Sequence, residues 1–209
     1  MSRLRRFRGL RKEQLHKAQS LVEVALFFPI LLIIFSGLME MGLWLTAYLG
    51  LVDAARNAAR FSSDNYYYVR DNDTNCTTTH DFYRQAACDL LTELAQEKPR
   101  LVLDAASDDI VVSAVSVLKG SGVVARFPAP NGWWSYYNHF SSQVSNEQIN
   151  NAIDPNAPNT GLVVVEVFYH YHQRLKLPWI KAFLPDPILI HTYAIMPLVS
   201  AEPTPTPSP

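Results

Sequence analysis

Cysteine is scarce in this sequence, and so is net charge. The 209 residues include two Cys, too few for a disulfide-dense small domain or for a zinc or iron–sulfur module built from several cysteines. The formal net charge is only -1, whereas 48% of the residues are hydrophobic, which excludes a disordered chain. The length suits one domain, or one domain plus a membrane anchor.

The low net charge conceals two oppositely charged regions. Seven of the 18 basic residues and one acid lie in the first 18 positions, so this segment carries +6. The rest of the chain holds 11 bases and 18 acids and carries -7. A basic tail by itself indicates a nucleic-acid or anionic-lipid patch, and the sequence that follows it decides between them.

An uncharged apolar run at residues 24–39 follows the basic tail. Extended to residues 19–45, it reaches the roughly 20 residues that cross a bilayer, with Glu23 and Glu40 near its ends. The bases in front of it predict an N-terminus in the cytoplasm and an extracytoplasmic C-terminus, which leaves no need for a nucleic-acid partner. A buried helix of a soluble protein leaves those bases unexplained. A secretory signal peptide would need a small-residue cleavage site directly after the run.

Several side chains along this run have predicted positions. Pro29 removes one backbone donor and favours a kink. Glu40 follows Glu23 by 17 residues, about 25 Å along a helix, so we expect it near the opposite interface with its carboxylate reaching water. Trp44 and Tyr48 fit either an interfacial aromatic belt or a stripe packed against the outer domain.

The junction KAQSLVEVALFFPILL, residues 17–32, resembles the N-terminus of TadE/TadG-like proteins. These are minor pilin-like subunits of the tight-adherence, or type IVc, pilus system. Glu40 and the Ala/Arg-rich residues 53–60 resemble the family too, as do two apolar strands near the C-terminus. The resemblance implies a structural subunit that is not an enzyme, with no cofactor and no small-molecule substrate. Its implied partners are the membrane, other pilin-like subunits and a prepilin peptidase.

The resemblance also implies a processing site and an ion pair. A prepilin-type peptidase would cut between Ala18 and Gln19, although Ala18 stands where the family usually has Gly and Val24 where it has an aromatic residue. An uncleaved single-pass protein with the same topology is the alternative. Glu23 would pair with the new amine of Gln19 in the same or a neighbouring subunit, or else lie unpartnered at the interface. The predicted assembly residues are Glu23, Pro29 and Glu40.

The pattern predicts an α+β fold, in which a long N-terminal transmembrane helix continues into a small extracytoplasmic domain with a second helix and an antiparallel sheet of three or four strands. The predicted helices are residues 20–62 and 81–97, with a short one around 145–153. The predicted strands are 109–118, 123–127, 162–171 and 188–198. The predicted domains are a basic cytoplasmic leader (1–18), a transmembrane and assembly helix (19–63), an extracytoplasmic α+β domain (64–200) and a disordered Pro/Thr tail (201–209).

Candidate chemistry in the outer domain is sparse. Cys76 and Cys88 form either a disulfide or two free thiols, and the outward topology favours the disulfide. Three histidines could either bind a metal or pack within strands, and the aromatic residues around them favour packing. These histidines are His170, His172 and His191. We predict no bound metal, and no catalytic motif is present in the sequence.

An aromatic cluster in the irregular segment 128–160 is a candidate contact surface, because Trp and Tyr dominate interface hot spots. Packing under a loop is the alternative for these residues, which are Trp133, Trp134, Tyr136 and Tyr137. Together these patterns predict a TadE-like minor pilin or pseudopilin, possessing a membrane anchor and no catalytic activity. A single-pass, membrane-anchored extracytoplasmic binding module unrelated to pili is the alternative.

Overall fold

The computed structural model describes residues 3–65, 68–69, 75–97, 100–154, 156 and 158–199, with side chains from residue 21 onward. The predicted tail 201–209 lies outside the described residues. The described elements are four helices and five strands, in the order α1 (Arg3–Asp64), α2 (Phe82–Gln96), β1 (Asp109–Leu118), β2 (Gly122–Phe127), β3 (Trp134–Ser135), α3 (Asn146–Ala152), β4 (Thr160–Tyr171), α4 (Pro178–Lys181) and β5 (Ile188–Leu198). The predicted α+β class is confirmed.

The chain divides into two compact units. The first unit comprises residues 1–44 and 173–185, and the second comprises residues 45–172 and 186–209. Helix α1 contributes its first part to the first unit and its remainder to the second. The division into leader, helix, outer domain and tail made from the sequence remains a prediction.

Helix α1 is longer than predicted at both ends and continues through Pro29. The Leu, Arg and Lys residues that fill the leader are good helix formers, which accounts for the extension toward the N-terminus. In the first unit, every residue from 21 to 35 is exposed. Within the stretch Leu21–Asp64 of α1, the most apolar 18 residues reach a mean hydropathy of 2.5, and the helix is long and apolar enough to cross a membrane.

The remainder of α1 packs through a face of small side chains in the second unit. Four alanines of that face are at most 1% exposed, namely Ala54, Ala55, Ala58 and Ala59. Small side chains let other elements approach the helix closely. At Gly50, an added Cβ would lie 3.1 Å from Cδ1 of Leu101. The Asn57 side chain also donates to Glu93 Oε2 of α2 across 3.0 Å.

Helix α2 begins and ends within one residue of its predicted limits. The Asp81 side chain caps its N-terminus by accepting from the backbone N–H of Arg84. Its buried face repeats at helical spacing and includes Phe82, Tyr83, Ala86, Leu90 and Leu94. This face covers one side of the sheet, where α2 lies against β1.

The sheet is antiparallel, with the strand order β2-β1-β4-β5. Strands β1 and β4 are central and almost wholly buried, which explains why both are nearly continuous apolar runs. The two-residue strand β3 pairs with β1 beyond the end of β2. The prediction of three or four strands missed β3 because two residues show no periodicity.

A small core cluster lies on the other side of the sheet. Helix α3 starts with a capping box in which Ser145 and Gln148 bond to each other's backbone N–H. Ile149 of α3 is fully buried in this cluster. Its other buried members are Val115, Val117, Val144, Leu162 and Val164.

Candidate functional site

The predicted processing and pairing residues lie near the start of the apolar part of α1. The side chains of Ala18 and Gln19 are outside the described residues. Glu23 is exposed on α1. Its pairing with an amine at Gln19 therefore remains a prediction.

Glu40 is only 3% exposed, so the expectation that its carboxylate reaches water is wrong. Its Oε1 accepts from the backbone N–H of Arg174 at 2.8 Å, and its Oε2 accepts from that of Leu175 at 2.9 Å. These donors satisfy the carboxylate in place of water, as burial of a charge requires. Glu40 thereby holds segment 173–185 to α1 within the first unit.

A second contact joins the same two parts of the first unit. The Trp179 indole Nε1–H donates to the hydroxyl of Ser36 across 3.0 Å. That hydroxyl donates in turn to the carbonyl of Ile33 at 2.9 Å. Ser36 and Glu40 are four residues apart and therefore lie on one face of α1. Neither contact was predicted, because the only local signal is two polar residues, Ser36 and Glu40, at helical spacing in an apolar run.

The predicted aromatic contact surface is half-buried in the second unit. Trp134 stacks on Tyr83 of α2 with ring centroids 6.3 Å apart and meets Tyr136 edge-on at 5.9 Å. The Arg84 guanidinium lies 5.5 Å from the Trp134 ring and 5.6 Å from the Tyr136 ring, which are cation–π distances. Trp133 and Tyr137 are also half-buried. Much of this cluster is thus engaged within the chain, and its use as a contact surface remains a prediction.

The irregular segment after β2 is held by two buried carboxylates, neither of which was predicted as a site residue. Asp109 of β1 is fully buried and accepts from the Ser135 hydroxyl at 2.6 Å. It also accepts from four backbone N–H groups at 2.8–2.9 Å, those of Ile110, Tyr137, His139 and Phe140. One side chain therefore fixes the backbone of residues 135–140.

Glu166 of β4 is the second of these carboxylates and is also fully buried. It accepts from the Ser142 hydroxyl and from the Gln143 backbone N–H at 2.9 Å, and its Oε2 lies 2.9 Å from His191 Nε2. The Arg126 guanidinium donates to the Ser142 hydroxyl at 2.8 Å. Burial lowers the pKa of Arg126 below its usual value, and the negative charge of Glu166 opposes that shift.

These contacts differ from the Ser–His–carboxylate arrangement of a catalytic triad. The Ser142 hydroxyl donates to Glu166, and His191 contacts the other oxygen of the same carboxylate. In that triad the serine hydroxyl donates to the histidine, and the carboxylate holds the histidine in position. We interpret the group as a structural network that positions the segment after β2.

The three histidines each contact a different carboxylate. His170 Nδ1 lies 2.9 Å from Asp108, and His191 Nε2 lies 2.9 Å from Glu166. His172 Nδ1 lies 3.5 Å from Asp186. Within the described part of the chain, no three His, Cys, Asp or Glu side chains are grouped to hold a metal ion. The structure does not bring these histidines together.

Cys76 and Cys88 form a disulfide, with their Cα atoms 5.5 Å apart. The bond ties the loop before α2 to the middle of that helix. By the loop-entropy argument, closing a ring of about 13 residues stabilises a fold by about 3 kcal/mol. The disulfide thus stabilises the second unit.

Residues 18–60 match the family model described as "TadE-like protein". The chain carries a TadE-like segment. Neither the curated proteins nor the solved structures contain a match to this chain.

The TadE-like segment coincides with most of α1. It spans the apolar part of the helix that can cross a membrane and extends to the alanine face buried in the second unit. Glu23, Pro29 and Glu40 all lie inside it. The match therefore falls on the same helix that supplies the candidate membrane anchor.

Proposed function

We propose that this chain is a TadE-like minor pilin or pseudopilin, a structural subunit anchored in the membrane for assembly of a tight-adherence pilus. The observation that carries the proposal is that the TadE-like segment coincides with the apolar part of α1. The TadE-like pilin family is structural, and we expect no catalysis from this chain.

The proposed topology is a single pass with the N-terminus in the cytoplasm. The +6 charge of the first 18 residues supports it, because basic residues flanking a membrane helix are retained on the cytoplasmic side. The second unit would then be extracytoplasmic. The disulfide between Cys76 and Cys88 is compatible with an oxidising compartment.

Assembly would use the exposed apolar surface of residues 21–35 to pack against other pilin-like subunits. If a prepilin peptidase removes the leader after Ala18, the amine of Gln19 lies about one helical turn from Glu23. A carboxylate in an apolar helix bundle is stabilised by such a cation. This pairing would favour transfer of the helix from lipid into a filament.

Complementation with single variants tests the assembly role. In cells that lack the native gene, Glu23→Gln should give surface pili in much lower number than the wild type, because it removes the charge that pairs with the amine. Glu147→Gln, an exposed acid on α3, is the matched control and should restore pili fully. Normal pili with Glu23→Gln would contradict the proposed assembly role of that residue.

A further inference from the structure

Segment 173–185 combines exposed apolar side chains with basic ones. It contains three bases and no acid, the bases being Arg174, Lys176 and Lys181, all exposed. The apolar side chains of Trp179, Phe183 and Leu184 are 38%, 84% and 45% exposed. A short chain segment with Trp, Phe and Leu beside Lys and Arg has the composition of an element that lies in a membrane interface.

The position of this segment on α1 agrees with that composition. Glu40 and Ser36 hold it to the helix through the backbone of residues 174–175 and the indole of Trp179. Every residue from 21 to 35 of the same helix is exposed and uncharged apart from Glu23. The segment is therefore attached where the apolar exposed run ends.

Simple helix geometry places this attachment at a membrane boundary. A hydrocarbon core about 30 Å thick is crossed by about 20 helical residues. Counted back from Met39, such a span begins at about Ser20, next to the last basic residue of the leader, Lys17. The inner membrane boundary then lies beside the basic leader, and the outer boundary lies beside the basic segment 173–185.

We propose that segment 173–185 is a second membrane contact, which inserts Trp179, Phe183 and Leu184 into the outer interface of the bilayer and places Arg174 and Lys176 among anionic lipid headgroups. It fixes the depth of the anchor helix by way of Glu40 and Ser36. The inference rests on the membrane anchorage included in the proposed function.

A lipid surface fits the segment better than a protein partner does. Lysine is depleted from the cores of protein interfaces, whereas Lys and Arg beside Trp suit anionic headgroups. These bases do not oppose the proposed orientation of α1. The positive-inside rule counts residues within about 15–20 positions of the helix ends, and this segment is far beyond that along the chain.

Spin labels on the full-length protein in nanodiscs of phosphatidylethanolamine and phosphatidylglycerol test the proposal. Ala182→Cys places a label beside Phe183, and the native cysteines are in a disulfide and do not compete for it. Leu31→Cys on the apolar helix is the membrane reference, and Val124→Cys, half exposed on β2, is the aqueous reference. The measurement compares collision of each label with oxygen, which dissolves in lipid, and with a water-soluble nickel chelate.

The label at residue 182 should favour oxygen over nickel several-fold more than the label at 124. Adding Phe183→Asp should shift it toward the aqueous value without disturbing packing, because Phe183 is 84% exposed. Aqueous behaviour at 182 with lipid behaviour at 31 would overturn the proposal while leaving the anchorage intact. Protection of 182 from both reagents would overturn it in favour of a protein contact. Aqueous behaviour at 31 would refute the anchorage and this inference with it.

Discussion

The two units use apolar residues in opposite ways. In the first unit, residues 21–35 of α1 are all exposed. In the second, strands β1 and β4 are almost wholly buried between α2 on one side and a small core cluster on the other. Hydrophobic composition by itself does not distinguish them. The difference is length, because a run near 20 residues suits a bilayer and one near ten suits a central strand.

Both units fix a distant segment with a buried carboxylate. Glu40 accepts from the backbone of residues 174–175, and Asp109 accepts from the backbone of residues 137–140. A carboxylate can accept several N–H groups at once, so it positions a loop that has no regular hydrogen bonds of its own. The two units therefore differ in whether their apolar side chains are exposed or buried, but both use a buried carboxylate to position a distant segment.

The largest expected effect comes from placing a charge in each apolar region. Val164→Asp should unfold the second unit, because an unpaired carboxylate in the core costs about 3–5 kcal/mol. Circular dichroism and protease resistance would measure this loss. Val124→Asp, at a half-exposed position of the same sheet, is the control and should remain folded.

The corresponding change in the first unit should leave the second unit folded. Leu31→Asp should instead make the free energy of membrane insertion less favourable by about 2.5–3.5 kcal/mol, which is the cost of an acid near the centre of a spanning helix. Extraction of membranes with alkaline carbonate would measure it. Loss of protease resistance in the second unit of this variant would show that residues 21–35 are part of a folded core, contrary to the comparison.

A smaller loss is expected from removing the carboxylate in the second unit. Asp109→Ala leaves the N–H groups of Tyr137, His139 and Phe140 without their acceptor, and should lower the free energy of unfolding by about 3 kcal/mol or more. Asp109→Asn retains one acceptor oxygen and should cost less. Urea denaturation would measure both, and equal stability of all three proteins would contradict the role of Asp109.

Removing the carboxylate in the first unit should have a local effect only. Glu40→Ala removes the acceptor for the backbone of residues 174–175, so trypsin should cut after Arg174 and Lys176 more rapidly. The melting temperature of the second unit should not change. Glu23→Ala, an exposed acid on the same helix, is the matched control. An unchanged cleavage rate in Glu40→Ala would show that this carboxylate does not hold the segment.

The smallest effect concerns Asp89 on α2. Burial, and then the nearby charge of Glu93, raise the pKa of Asp89 above its usual 3.8. The folded state therefore holds this proton more tightly than the unfolded state, and stability falls as the pH rises from about 3.8 through the raised pKa. Asp89→Asn should melt slightly higher at pH 7 and lose this part of the pH dependence. An equal melting temperature of Asp89→Asn and the wild type at pH 7 would indicate that folding does not raise the pKa of Asp89.

The regular elements of this fold could be predicted because their signals are local. The strands at 109–118 and 188–198 were located to the residue, and α2 to within one residue at each end. The contacts that position loops could not be predicted. Glu40 and Arg174 are 134 residues apart, and no periodicity links a carboxylate to the N–H groups of a remote turn. Glu40 stands out as a charge that ends an apolar run and also fits the family resemblance, whereas Asp109 and Glu166 have neither signal.

The most direct test of the central claim is deletion of the gene followed by electron microscopy of surface pili. We expect the deletion strain to lack tight-adherence pili and the wild-type gene supplied in trans to restore them. Normal pilus number and length in the deletion strain would contradict the account and favour an anchored binding module that does not take part in pilus assembly.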